Sequence, residues 1–160
     1  MGRLKIENMN KKKETEERYE DGLEASELAK EDFQEGQKVV EGVRELDVDD
    51  EVKDVTTRVG EGIRQEAESF MRDEVGGIME EGTELSNETE EHANENAELN
   101  YEAADRFAEV QDNRFGSKGE LGQETAMESA EFFEGAAQDV VELRAEKMER
   151  YESDLAEITD

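Results

Sequence analysis

The residue types that do most protein chemistry are scarce in this 160-residue chain, which has one histidine, no cysteine and no tryptophan beside 48 acidic side chains. His92 has Glu88 one helical turn before it and Glu95 one turn after it, so the three share a helix face. Such a cluster has the ligand types of a metal site. A di-metal carboxylate bundle, however, needs a Glu-x-x-His motif on each of two helices, and one histidine cannot supply both. His92 is therefore expected to be a partly solvated helix residue. Asp47-Val48-Asp49-Asp50 has the acidic start of a calcium loop. An EF-hand needs Gly at loop position 6 and Glu at position 12, where this chain has Val52 and Arg58. The acidic run reads instead as a helix cap, with Asp49 or Asp50 at the N-cap. Gly116-Ser117-Lys118-Gly119 lacks the spacing and preceding strand of a phosphate loop. A Ser/His/Asp triad would have to be built on His92 with no sheet to position it. The expectation is a non-enzymatic protein with no catalytic residues, no metal and no cofactor.

The elements that would position these residues are helices. The chain contains no proline, where about eight would be usual at this length. Proline is excluded most strongly from helix interiors, so its absence favours long uninterrupted helix. Leu, Ile, Val and Phe make up only about 19% of the residues, and 42% are charged, with a formal net charge of -29. A large apolar core is excluded by that composition. Free nucleic acid is not an expected partner, because phosphate binding needs clustered cations. No apolar run approaches the length of a membrane span. The N-terminus has no apolar region of a secretory signal, so the protein is expected in the cytoplasm or exported without a cleaved signal peptide.

The fold expected is all-α, an elongated antiparallel hairpin or bundle of about three long helical segments. Residues 1–13, ending in Lys11-Lys12-Lys13, read as a flexible basic arm before a single elongated helical domain over 14–160. The first segment covers about 14–46, with Tyr19, Leu23, Ser26, Phe33, Val40 and Val43 on one face. The second covers about 51–112. Its stripe begins Val52, Val55, Val59, Ile63, Ala67 and Phe70, and Gly76-Gly77 is a candidate hinge because each glycine costs about 1 kcal/mol in a helix interior. Its part over 84–98 has a polar stripe and is expected to pack weakly or wet. Asn113 to Gly119, centred on Phe115 and Gly116, reads as a turn. The third segment covers about 120–158. Phe132, Phe133, Val140, Leu143, Tyr151 and Leu155 form the densest apolar surface in the chain and are the expected packing or partner-binding face. Glycines within helical patterns, among them Gly36, Gly42, Gly60, Gly82 and Gly135, mark either close helix–helix approach or tolerated weakening.

A long helix, a short turn with an aromatic and a glycine at Phe115-Gly116, and a further amphipathic helix resemble the helical hairpins of the WXG100 and LXG families of type VII secretion. The resemblance spans about Glu51–Asp160. The family turn is Trp-x-Gly, and this chain has no Trp. Tyr101 and Asp105 match the family's Tyr-x-x-x-Asp/Glu secretion signal, although they precede the Phe-Gly turn whereas the family signal follows the hairpin. The resemblance implies a small helical secretion partner that pairs side by side with another chain. The leading expectation is thus a helical interaction protein of secretion-partner or adaptor type, bound to another protein or to itself. Two alternatives stand beside it. One is an acidic inhibitor or immunity protein that covers a basic site as a nucleic-acid mimic. The other is a structural helical component of a larger assembly, including one from a halophile.

Overall fold

The computed structural model describes residues 2–110 and 116–159. Among them the fold is all-α, with no strand. Helix α1 spans Arg3–Arg44 and α2 spans Asp50–Phe70. A π-helical turn, Met71–Val75, joins α2 directly to α3, Gly76–Val110. Helix α4 spans Gly116–Ile158. Asp49 is the N-cap of α2, and its carbonyl accepts from Lys53 N–H at 3.1 Å. No side-chain cap bond is made there, so the acidic residues Asp50 and Glu51 act on the helix terminus through charge.

The single domain expected over 14–160 is organised as two compact units. The first comprises residues 1–16 and 83–145. In it α3 is antiparallel to both α1 and α4. Ala93, Ala97, Phe133 and Ala137 form the apolar cluster, with Phe132 and Ala136 packed against it. The ring of Phe133 meets His92 edge-on at 6.4 Å and Phe132 at 5.4 Å. The second unit comprises residues 17–82 and 146–160. Tyr19, Met71, Val75 and Met79 are fully buried there.

Three boundaries differ from the sequence reading, each for a physical reason. The basic arm over 1–13 is helix from Arg3 onward. What holds it is polar: Asn8 is buried and bonds the carbonyl of Thr89 at 3.3 Å, and Lys12 pairs with Asp139 at 3.7 Å. Apolar periodicity has nothing to register in such a contact. The break expected at Gly76-Gly77 is the π-helical turn just before it, and the helix continues through both glycines. Of the turn expected over 113–119, Gly116 to Gly119 form the first turn of α4, while Asn113, Arg114 and Phe115 lie outside the described residues.

The stretch 84–98 also packs more tightly than its polar stripe suggests. Ser86, Thr89, Ala93, Asn96 and Ala97 are all buried. Small side chains bring helix backbones close, and short hydroxyl and amide groups bond a carbonyl one turn back. Thr89 Oγ1 donates to Leu85 O at 2.8 Å, Ser86 Oγ to Thr83 O at 2.7 Å and Asn96 Nδ2 to His92 O at 2.7 Å. Buried polar groups satisfied in this way avoid the desolvation cost that would otherwise exclude them.

Candidate interaction surfaces

The lone histidine is half-buried in the first unit. The Asn8 amide nitrogen donates to Thr89 O and also lies 3.0 Å from His92 Nδ1. Only the nitrogen end of the amide can donate to a carbonyl, which sets the Asn8 orientation. Its second N–H then makes Nδ1 of His92 an acceptor and leaves the ring proton on Nε2. Nε2 faces Glu7 Oε2 at 3.8 Å. Glu88 and Glu95, the acids that suggested a metal cluster in sequence, are both exposed. Among the described residues no group of His, Asp or Glu is arranged to hold a metal ion.

The third-segment face lies mostly inside the fold. Phe133, Val140 and Tyr151 are buried, and Phe132, Leu143 and Leu155 are half-buried. Phe132, Phe133, Val140 and Leu143 belong to the first unit, Tyr151 and Leu155 to the second. Tyr151 donates its hydroxyl to Met71 O at 3.0 Å, a carbonyl that also accepts from Gly76 N–H across the π-helical turn. A Cβ on Gly76 would lie 3.0 Å from that hydroxyl. Gly76 thus leaves room for the tyrosine, whereas an added Cβ on Gly77 would meet only open space. Burial raises the Tyr151 phenol above its ordinary range, against a lowering influence from Arg72. Tyr101 is half-buried on α3 and Asp105, one turn on, is exposed. A hydrogen bond with Glu134 raises the Tyr101 phenol.

In the second unit an acid–base network and a close backbone contact are among the features that join the helices. Lys30 Nζ reaches Asp154 at 3.2 Å and Glu157 at 3.1 Å, and Ser26 donates to the other Asp154 oxygen at 2.7 Å. Desolvation lowers the lysine, but the hydrogen bonds to Glu157 and Asp154 outweigh it, so its pKa is raised. At the α1–α2 contact, a Cβ on Gly36 would lie 2.7 Å from Gly60 O, and one on Gly60 would lie 2.8 Å from Gly36 O. Arg64 stacks over the Phe33 ring at 5.0 Å beside this contact.

A row of apolar residues on α2 is open to solvent. Val52, Val55 and Val59 are 50%, 55% and 55% exposed, and Leu46 and Val48 just before the helix are exposed as well. Only Gly60 and Ala67 of α2 are buried. The helix therefore packs through small residues and turns its valines to solvent. The signal was present in the sequence as the Val52-Val55-Val59 stripe, but stripe and core coincide only where a neighbour covers the stripe. A contrasting face on α3 carries Glu90, Glu91, Glu95 and Glu98. Compared with known proteins, the chain matches no family model, no curated protein and no solved structure.

Proposed function

We propose that this chain is a non-enzymatic helical protein–protein interaction protein, of the secretion-partner or adaptor kind, and that α2 is its docking face. The supporting observation is the row of valines at 52, 55 and 59, each at least half exposed on a helix whose buried residues are the small Gly60 and Ala67. Contiguous exposed apolar surface on a soluble fold marks sites of association. The secretion component draws support from the Tyr101-x-x-x-Asp105 pair alone, with Asp105 exposed one turn from Tyr101.

The test is site-specific photo-cross-linking in the native cell, with a photoreactive side chain at position 55. The expected result is one discrete protein adduct, and none from the same group at position 98 on the acidic face of α3. Only unmodified or water-quenched chain at position 55 would overturn the docking reading. For the secretion component, Asp105→Ala is expected to leave helix content unchanged and to reduce export.

A further inference from the structure

We propose that the α2 face is occupied by α2 of a second copy of this chain, packed antiparallel about a two-fold axis. The inference rests on the reading of α2 as a docking face and names its partner. The valines recur at steps of three and four, the spacing of a coiled-coil seam, in which Val52 and Val59 take one core position and Val55 the other. An axis between Val52 and Val55 sets Val52 against the partner's Val55, and Val55 against the partner's Val52. Val59 then reaches the exposed Val48 at the other copy's helix start.

Charge complementarity sets the direction. Residues 47–65, from just before Val48 to past Val59, carry six acids, Asp47, Asp49, Asp50, Glu51, Asp54 and Glu61, and three bases, Lys53, Arg58 and Arg64, in a chain whose net charge is -29. The face is therefore net acidic, and a second copy meets it best where an acid of one chain finds a base of the other. Glu51 and Arg58 flank the seam at equivalent positions seven residues apart. Antiparallel pairing brings each Glu51 to the partner's Arg58, and the two-fold axis makes that ion pair twice. Parallel pairing would set Glu51 beside Thr56 and Arg58 beside Ile63, with no ion pair. Among the described residues, neither Glu51 nor Arg58 is ion-paired within its own chain. Such a contact covers only about two helical turns, below the ~1,000 Å² scale of a permanent interface, so the dimer should be reversible.

Sedimentation equilibrium on the full chain tests this at concentrations up to about 1 mM. The expected result is a monomer–dimer equilibrium that strengthens between about 0.1 and 1 M salt, as repulsion between two strongly acidic chains is screened. Val55→Lys should abolish the dimer, with helix content unchanged by circular dichroism. Glu51→Arg and Arg58→Glu should each weaken it roughly 10-fold, since every change is felt twice, and the double exchange should restore it to within about 2-fold. A chain monomeric throughout, a dimer indifferent to Val55→Lys, or a double exchange no better than the singles would overturn the proposal. The mass of the position-55 adduct separates the two readings. An adduct of twice the chain mass supports self-pairing. An adduct with a different protein, from a chain that sediments as monomer, overturns self-pairing and leaves the docking reading standing.

Discussion

Several buried side chains in this protein meet backbone carbonyls that the helices leave accessible. Tyr151 is the clearest case, because its hydroxyl and Gly76 N–H share Met71 O at the π-helical turn. The buried phenol and the Lys30 ammonium both have raised pKa values in the fold. A raised folded value means the native state holds its proton more tightly than the unfolded chain does. The associated stability is complete below the unfolded value and is lost as pH rises through the folded one. Unfolded tyrosine and lysine titrate near 10 and 10.4, so the protein should lose stability above about pH 10. Tyr151→Phe should make that alkaline decline shallower while lowering stability at pH 7 by about 1 kcal/mol for the lost hydrogen bond. Urea melts of both chains from neutral to alkaline pH would check it, and an unchanged alkaline slope would show that Tyr151 does not contribute.

At the scale of elements, helices that carry few large apolar residues must approach one another closely, and glycine permits this at some contacts and only weakens the helix elsewhere. Gly36 and Gly60 put α1 and α2 in backbone contact, and a methyl group on either would press on a carbonyl oxygen. Gly42 and Gly135 face open space. Gly36→Ala should therefore destabilise by about 1–3 kcal/mol, through overpacking that no flexible side chain can relieve. Gly42→Ala and Gly135→Ala should each stabilise by about 0.5–1 kcal/mol, because only helix propensity changes. Thermal melts of the three variants decide this directly. Equal effects at all three positions would mean that propensity, and not the α1–α2 contact, governs these glycines.

For the molecule as a whole, charge bears on stability beside packing. A net charge of -29 makes the compact state self-repelling. Ion pairs offset this locally: Arg144 reaches Glu90 at 3.0 Å and Lys147 reaches Glu20 at 2.8 Å. Most such pairs are at least partly exposed and individually contribute little. Added salt should consequently raise the melting temperature between about 0.1 and 1 M, as the screening length falls from roughly 10 to 3 Å. A melting temperature that stays flat or falls across that range would mean that the ion pairs, not the repulsion, carry the electrostatic balance. The melts belong at low protein concentration, where association through α2 adds nothing.

The all-α fold was determined by the sequence alone, because helix formation is local: no proline interrupts the chain, and the 3.6-residue recurrence of Tyr19, Leu23, Val40, Phe133, Val140 and Tyr151 marks faces that are in fact buried. Only the tertiary structure decided which polar residues lie inside. Asn8, Thr15, Ser86 and Thr89 carry no hydrophobic signal, yet all are buried: Asn8 bonds the Thr89 carbonyl of a neighbouring helix, while Thr15, Ser86 and Thr89 donate to carbonyls of their own helix and are covered by what packs on them. Tertiary structure likewise separated Gly36 and Gly60 from Gly42 and Gly135, which look alike in sequence and differ only in what another helix brings to them. The α2 valines show the same division from the other side. Their spacing is a property of the sequence, but exposure depends on where the other helices pack, and in this fold they meet α2 on its glycine and alanine side.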